Sequence, residues 1–297
     1  VKDINPGAAN SMCDSSQHFP EFEIAGGVLF LMADDGTHGY ELWRSDGTEA
    51  GTTLILDIAP GTLSALWSWP YPSDLTASGG YVYFVDVNNG NNDWAVWRSD
   101  GTAVGTIMIL DTWNPSWDLT DVDGMLYFND WDWSLYKSDG TVAGTIKLGS
   151  GGSSLTLAGG TLFFVSWGGE LWRHDRATAS NHLVRDINPS GESMPLSSYP
   201  WWLTAVGSTL YFAADDGVHG QELWKSDGSE SGTVRVGVET TITLSAEPND
   251  LTAVGTVVYF AADDGLHGKE LWKSDGTVTG TVMVKDIKSG TGGTGPQ

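Results

Sequence analysis

The chain has 297 residues, 40% of them hydrophobic, and carries 38 acidic against 14 basic residues for a net charge of −24. That length can bury a large core, in one big domain or two ordinary ones, and with only 18% charged residues this is not a disordered acidic chain. The charge repels nucleic-acid phosphates and anionic membrane surfaces, and no apolar run approaches a membrane span.

The chain opens with VKDINPG, Val1 to Gly7, a phrase that returns as LVRDINPSG (Leu183 to Gly191) and MVKDIKSG (Met283 to Gly290). It begins with Val rather than Met and carries no signal peptide, which reads as a processed product or a piece of something longer. Residues 8–20, AANSMCDSSQHFP, read as a loop and hold the one cysteine, Cys13, so no internal disulfide staples the fold. Residues 1–20 are therefore expected to be a strand and its linker.

From Glu21 onward one unit recurs. Its clearest copy, residues 250–287, reads DLTAVGTVVYFAADDGLHGKELWKSDGTVTGTVMVKDI. The pivot is ELWKSDGT, with copies centred on Trp43, Trp97, Tyr136, Trp172, Trp224 and Trp272. Their mean spacing, about 46 residues, is that of propeller blades. Each unit reads as four short strands: LTAVG, LYFAA, ELWKS and GTVMVKDI. Gly-Gly, Gly-Ser or Gly-Thr marks the first hairpin, and Asp-Gly-Thr turns the third strand into the fourth. No helical periodicity of any length is visible.

The prediction is all-β: a six-bladed β-propeller of four-stranded antiparallel blades, at about 21–58, 74–111, 117–149, 153–187, 201–238 and 249–287. A stacked solenoid is the alternative. The third and fourth blades are the most degenerate, with Tyr136 in place of Trp and HDRATASN (His174 to Asn181) in place of SDGTxxGT. Each blade has its own fourth strand, read as Ile55–Ile58, Met108–Asp111, Ile146–Leu148, Leu183–Ile187, Val234–Val238 and Met283–Ile287. Val1, Lys2, Asp3 and Ile4 are then a surplus outer strand. It could pair with another copy of the chain, head to tail, or fray, or mark a cut from a longer array. The tail KSGTGGTGPQ, residues 288–297, reads as a flexible linker.

ELWxSDGTxxGT followed by VKDI resembles the ELWxxDGT repeat of bacterial secreted and surface proteins, over nearly the whole chain from about Glu21 to Ile287. The resemblance implies an extracellular setting and carries over no catalytic residues.

In a propeller, the turns between second and third strands lie on the same face as the links between blades. The pivot tryptophans recur at one position and are expected to pack between blades. The other ten are Trp67, Trp69, Trp94, Trp113, Trp117, Trp131, Trp133, Trp167, Trp201 and Trp202, all expected in those turns and links. They either roof the channel or form an aromatic platform for sugars. Candidate ligand-binding members are Trp67, Trp69, Trp113, Trp131, Trp133 and Trp201, with Trp131 and Trp133, beside Asp130 and Asp132, expected to be exposed.

The same face carries DDGxHG three times, with Asp34 and Asp35, Asp215 and Asp216, and Asp263 and Asp264. Paired carboxylates and turn carbonyls are a donor set for Ca²⁺. The simpler reading is a turn in which Asp caps backbone N–H groups and His38, His219 or His267 bonds locally.

An enzyme needs a non-repeated constellation, and no GxSxG, HExxH, P-loop or dinucleotide fingerprint occurs. Unique titratable residues such as Asp93, His174, His182 and Glu192 are scattered. The expectation is a secreted, non-enzymatic propeller for assembly or adhesion, partnered by itself or by surface glycans. A lectin-like module is the alternative, and a polysaccharide hydrolase or lyase the third reading.

Overall fold

The computed structural model describes residues 2–6, 10–12, 22–60, 75–87, 94–112, 116–189, 197–237 and 245–287. Val1, Cys13, Trp67, Trp69, Asp93, Trp113, Glu192 and the tail 288–297 lie outside them. The chain divides into two compact units, residues 1–149 and 150–297. Twenty-four strands form six four-stranded antiparallel sheets, with no helix among the described residues. The fold is a six-bladed β-propeller by class.

The first unit holds three blades. Their strands are Phe22–Ala25, Val28–Asp34, Tyr40–Ser45 and Thr53–Leu54 in the first. The second has Thr76–Ser78, Tyr81–Val87, Trp94–Ser99 and Ile107–Thr112. The third has Ser116–Val122, Met125–Asp130, Ser134–Ser138 and Ile146–Ser150. The second unit holds Gly152–Ala158, Thr161–Ser166, Leu171–Asp175 and Ser180–Leu183. Next come Trp201–Val206, Thr209–Asp215, Gln221–Ser226 and Val234–Arg235. The last blade is Asn249–Val254, Val257–Asp263, Lys269–Ser274 and Val282–Lys285.

Second strands such as TLYFAAD, Thr209–Asp215, are buried on both faces, because each blade is covered by its neighbours within the unit. In the second unit Phe212 and Trp224 pack on Phe163 of the preceding blade, and Tyr211 and Leu223 on Phe260 and Trp272 of the following one. In the first unit Trp97 packs against Phe30 and Leu42, and Tyr83 and Val96 against Leu126 and Phe128. Trp97, Tyr136, Trp224 and Trp272 therefore pack between blades, while Trp43 packs against Ile4 and Met12. Close approach of blades also explains the Gly-Gly hairpin: a Cβ on Gly79, whose φ is +58°, would stand 2.7 Å from the Gly124 carbonyl oxygen.

Five blades share one hydrogen-bonded turn between third and fourth strands. In the first blade, Thr48 N–H and its hydroxyl both donate to Asp46 Oδ1, at 2.9 and 2.7 Å. Gly51 N–H donates to Thr48 Oγ1, and Thr52 Oγ1 donates to Thr48 O. With the Thr52 proton so used, Ser45 Oγ donates to Thr52 Oγ1 at 2.7 Å and accepts from Gly47 N–H. The set recurs around Asp100, Asp139, Asp227 and Asp275. The degenerate fourth blade replaces the Ser–Thr pair by His174 Nδ1 against Asn181 Oδ1, at 2.6 Å.

The fourth strands differ from expectation. Ile55–Ile58 and Val184–Ile187 are not strand: the strands there are Thr53–Leu54 and Ser180–Leu183, and the xDI phrase follows them as a link. Lys2, Asp3 and Ile4 are not strand either, which corrects the reading of this phrase as a surplus outer strand. At Ile58 and Ile187 a pivot glutamate far away in sequence takes the backbone N–H, whereas Lys2 and Ile4 are seated by Thr52 O and the Trp43 ring.

Candidate functional site

Four of the six pivots carry a glutamate, and Glu41, Glu170 and Glu270 hold the link that follows their blade. Glu41 accepts the N–H groups of Ala59 and Ile58, at 3.0 and 3.2 Å. Glu170 accepts those of Ser198 and Ile187, at 2.8 and 3.4 Å, and the Ser198 hydroxyl at 2.6 Å. Glu270 accepts Ile287 N–H at 3.2 Å. Ile55 and Val184 N–H still donate to Leu42 O and Leu171 O before the link reaches the carboxylate, and in the last blade the ladder runs on to Lys285 before Ile287 makes the same bond. Burial lifts the carboxyl of Glu41 to about 7, against the pull of the Ala59 and Ile58 N–H groups. Burial likewise lifts Glu222 to about 7, against the Arg235 guanidinium and the Ala246 N–H. Glu170 is raised by burial and pulled back by Ser198.

Beyond the glutamate the link lies on the following blade. Arg185 stands over the Trp224 ring, 5.8 Å from its centroid, and donates to Thr233 O at 2.6 Å. Lys2 does the same on the first blade, 5.5 Å over Trp43 and donating to Thr52 O at 3.1 Å. Trp43 and Trp224 are equivalent, as are Thr52 and Thr233. Farther on, Asp34 N–H donates to Ser11 O, as Asp215 N–H does to Ser198 O and Asp263 N–H to Ala246 O, each at 2.9 Å. Lys2, Ile4 and Ser11 thus lie on the first blade as Arg185, Ile187 and Ser198 lie on the fifth. Ile4 packs against Leu31, Ala33 and Trp43 at 9% exposure.

The C-terminal copy behaves differently. Val282–Lys285 is the last blade's fourth strand, and Ile287 keeps its bond to Glu270. Yet Ile287 is 61% exposed, against 4% for the equivalent Ile187. Val284 is also exposed where Val184 is buried.

The DDGxHG segments are turns built from their own side chains. Asp34 Oδ1 accepts Gly36 N–H, while Asp35 Oδ1 accepts Thr37 and His38 N–H and its Oδ2 meets His38 Nδ1 at 2.8 Å. Asp215 and Asp216 with His219, and Asp263 and Asp264 with His267, repeat this. Burial works to raise Asp35, but hydrogen bonds from His38 and Thr37 hold it below the ordinary carboxylate range. These oxygens serve backbone N–H groups, and no group of three or more His, Cys, Asp or Glu that could hold a metal occurs among the described residues.

The tryptophans fall into two sets. Trp117 meets Trp131 and Trp133 edge-on, with centroids 5.9 and 5.5 Å apart. Trp131 is exposed, but Trp133 is half-buried, and Asp130 is a buried turn cap that accepts Ser134 N–H at 2.9 Å. This blade therefore packs its tryptophans on one another, and Asp130 is not a free flanking carboxylate.

Of the second set, sequence names Trp167, Trp201 and Trp202 among the ten non-repeat tryptophans but selects only Trp201 as a ligand-binding candidate, and it does not mark Tyr199. Trp167 lies in the turn closed by Gly169 N–H donating to Ser166 O, at 2.8 Å. Tyr199 N–H donates to Gly169 O at 3.0 Å, and Trp201 and Trp202 follow at once. All four are exposed. Trp94, Trp117, Trp201 and Trp202 sit at strand beginnings rather than in turns or links. A sequence signal for Trp202 exists: it stands where Asp-Leu-Thr has its Asp in other blades, at Asp118 and Asp250.

No protein-family profile and no curated protein matches the chain. Among solved structures it is similar to the computationally designed Ika8 protein, at 14% identity and TM-score 0.52, over 96% of this chain and 79% of that one. It is also similar to the β-propeller domain of the Trilobed protease from Pyrococcus furiosus, at 12% identity and TM-score 0.47, over 90% and 85%. Puromycin hydrolase follows at 16% identity and TM-score 0.44, over 98% of this chain but only 57% of the hydrolase. At such identities likeness bears on fold alone, and it is this chain's own six four-stranded sheets that make it a six-bladed β-propeller.

Proposed function

We propose that the chain is a non-enzymatic, extracellular β-propeller module that assembles head to tail with further copies of itself through its link phrase. One observation carries this reading. The sequence Val-Lys-Asp-Ile has a receiving surface on the first blade, made of Trp43, Leu31, Ala33 and Thr52, and a second copy of it stands exposed at Val284 and Ile287. In this reading Lys285 and Ile287 of one copy take, on the first blade of another, the place that Lys2 and Ile4 take within the chain. Exchange of an identical phrase between copies loses few contacts and gains an open, repeatable joint.

The non-enzymatic part is supported by where the perturbed acids point. Glu41 and Glu170 spend their oxygens on link backbone, and the DDGxHG carboxylates on turn backbone. The extracellular part rests on the resemblance to ELWxxDGT repeats.

The test is light scattering over a concentration series. The wild type is expected to grow in mass with concentration. Changing Val284 and Ile287 together to Asp should hold it monomeric, as should an excess of the peptide VKDINPG. A wild type that stays monomeric throughout would sink the proposal.

A further inference from the structure

The aromatic cluster on the second unit is a separate matter from the joint. We infer that Trp167, Tyr199, Trp201 and Trp202 form a binding site for a neutral polysaccharide. The first argument is conformational. Trp202 has φ +59°, in the left-handed region. The equivalent residues are Asp118, Ser154 and Asp250, at +55°, +61° and +54°. Short polar side chains tolerate this region, and bulky ones rarely enter it. The conformation itself is imposed by the blade. Each of the four is followed two positions later by a Thr whose hydroxyl donates to its carbonyl oxygen: Thr120, Thr156, Thr204 and Thr252. A Trp here breaks the local rule, and unlike Trp133, which shares this conformation and packs on Trp117, it is 49% exposed and has no ring contact with another described aromatic. Strain kept at an exposed ring is consistent with a functional position.

The second argument is chemical. Trp167 and Trp201 are 64% and 61% exposed, and Tyr199 is exposed beside them. Exposed indole faces suit the C–H faces of pyranose rings, and indole N–H groups reach sugar hydroxyls. Backbone bonds bring the rings together: Tyr199 N–H donates to Gly169 O, in the turn that carries Trp167, and Trp201 and Trp202 follow two and three residues later. The net charge of −24 repels an anionic polymer, and stacking on indole faces needs no charge on the sugar, which favours a neutral one.

The experiment is native gel electrophoresis through soluble polysaccharide, with calorimetry for affinity. The neutral probes are hydroxyethyl cellulose, laminarin, xyloglucan and galactomannan, and the anionic probe is alginate. Retardation by at least one neutral polymer and none by alginate is expected. Trp202→Asp, the residue that other blades carry, should weaken binding at least tenfold while the melting temperature holds or rises. Trp167→Ala should also weaken it, and supplies the test if the first variant misfolds. Trp131→Ala should bind as the wild type does. Indifference to every neutral polymer would overturn the site, as would full affinity in both the Trp202→Asp and Trp167→Ala variants. Monomers that bind sugar would refute the assembly reading and leave this one standing.

Discussion

The two ends of a blade are built on opposite rules. At the end where third strand turns into fourth, five blades repeat one Ser-Asp-Gly-Thr hydrogen-bond set with nearly the same distances. At the other end, where second strand meets third and links arrive, blades diverge: Asp–His turns in three of them at His38, His219 and His267, packed tryptophans at Trp131, a Trp-Gly-Gly turn at Trp167. The repeated end satisfies its polar groups within eight residues, so it tolerates any neighbour. In three blades the variable end is held by a glutamate, Glu41, Glu170 or Glu270, reaching a link 17 residues away, which leaves its loops free to change.

Acidity separates these ends most sharply. Burial raises Glu41 and Glu222 from the ordinary 4.5 to about 7. Between those values the folded chain holds more protons than the unfolded one, so stability falls as pH rises through that window and levels off above it. Each glutamate should contribute about 3 kcal/mol to that fall, at about 1.36 kcal/mol per pH unit. The turn aspartates act in the opposite sense. Hydrogen bonds from Thr48 and Thr277 lower Asp46 and Asp275, so their contribution is present above the ordinary aspartate range and is lost as pH drops below it. Calorimetry should give a higher melting temperature at pH 5 than at pH 7.5, with the difference flattened in Glu41→Gln/Glu222→Gln. Equal melting temperatures at the two pH values would contradict the glutamate assignment.

A smaller effect belongs to the repeated end. Thr277→Val removes the hydroxyl that donates to Asp275 and accepts from Gly280 N–H, and should cost about 1–2 kcal/mol. Thr277→Ser should be near neutral, because Ser229 already performs this role in the fifth blade. Chemical denaturation of the pair reads the contrast, and equal losses would point to the methyl group instead. The smallest effect is at the seated link. Arg185→Ala and Lys2→Ala each lose a cation over a pivot Trp and a bond to a carbonyl, about 1 kcal/mol or less. Similar small drops in both would support their equivalence, and a drop in only one would deny it.

Much of this was legible in advance. The ELW pivots, the Gly-Gly and Asp-Gly hairpins and the Asp–His turns follow from local chemistry, and local chemistry is written in neighbouring residues. The link phrase was not. Val-Lys-Asp-Ile has the alternation of a strand and is one as far as Lys285 in the last blade, but only the Glu41 and Glu170 carboxylates, distant in sequence, show where the N–H groups of Ile58 and Ile187 go. The tryptophans divide for the same reason. Trp131 and Trp133 look like the exposed pair beside two aspartates, until Trp117 is found edge-on to both.

Periodicity and turn residues by themselves settle that this chain makes four-stranded blades, because strand length, hairpin geometry and the pivot aromatic all depend on residues a few positions apart. Tertiary structure alone settles which copy of the link phrase is seated and which is exposed, and which tryptophans are spent on one another. Those outcomes turn on the desolvation and packing of groups brought together from distant positions, and no local pattern encodes them.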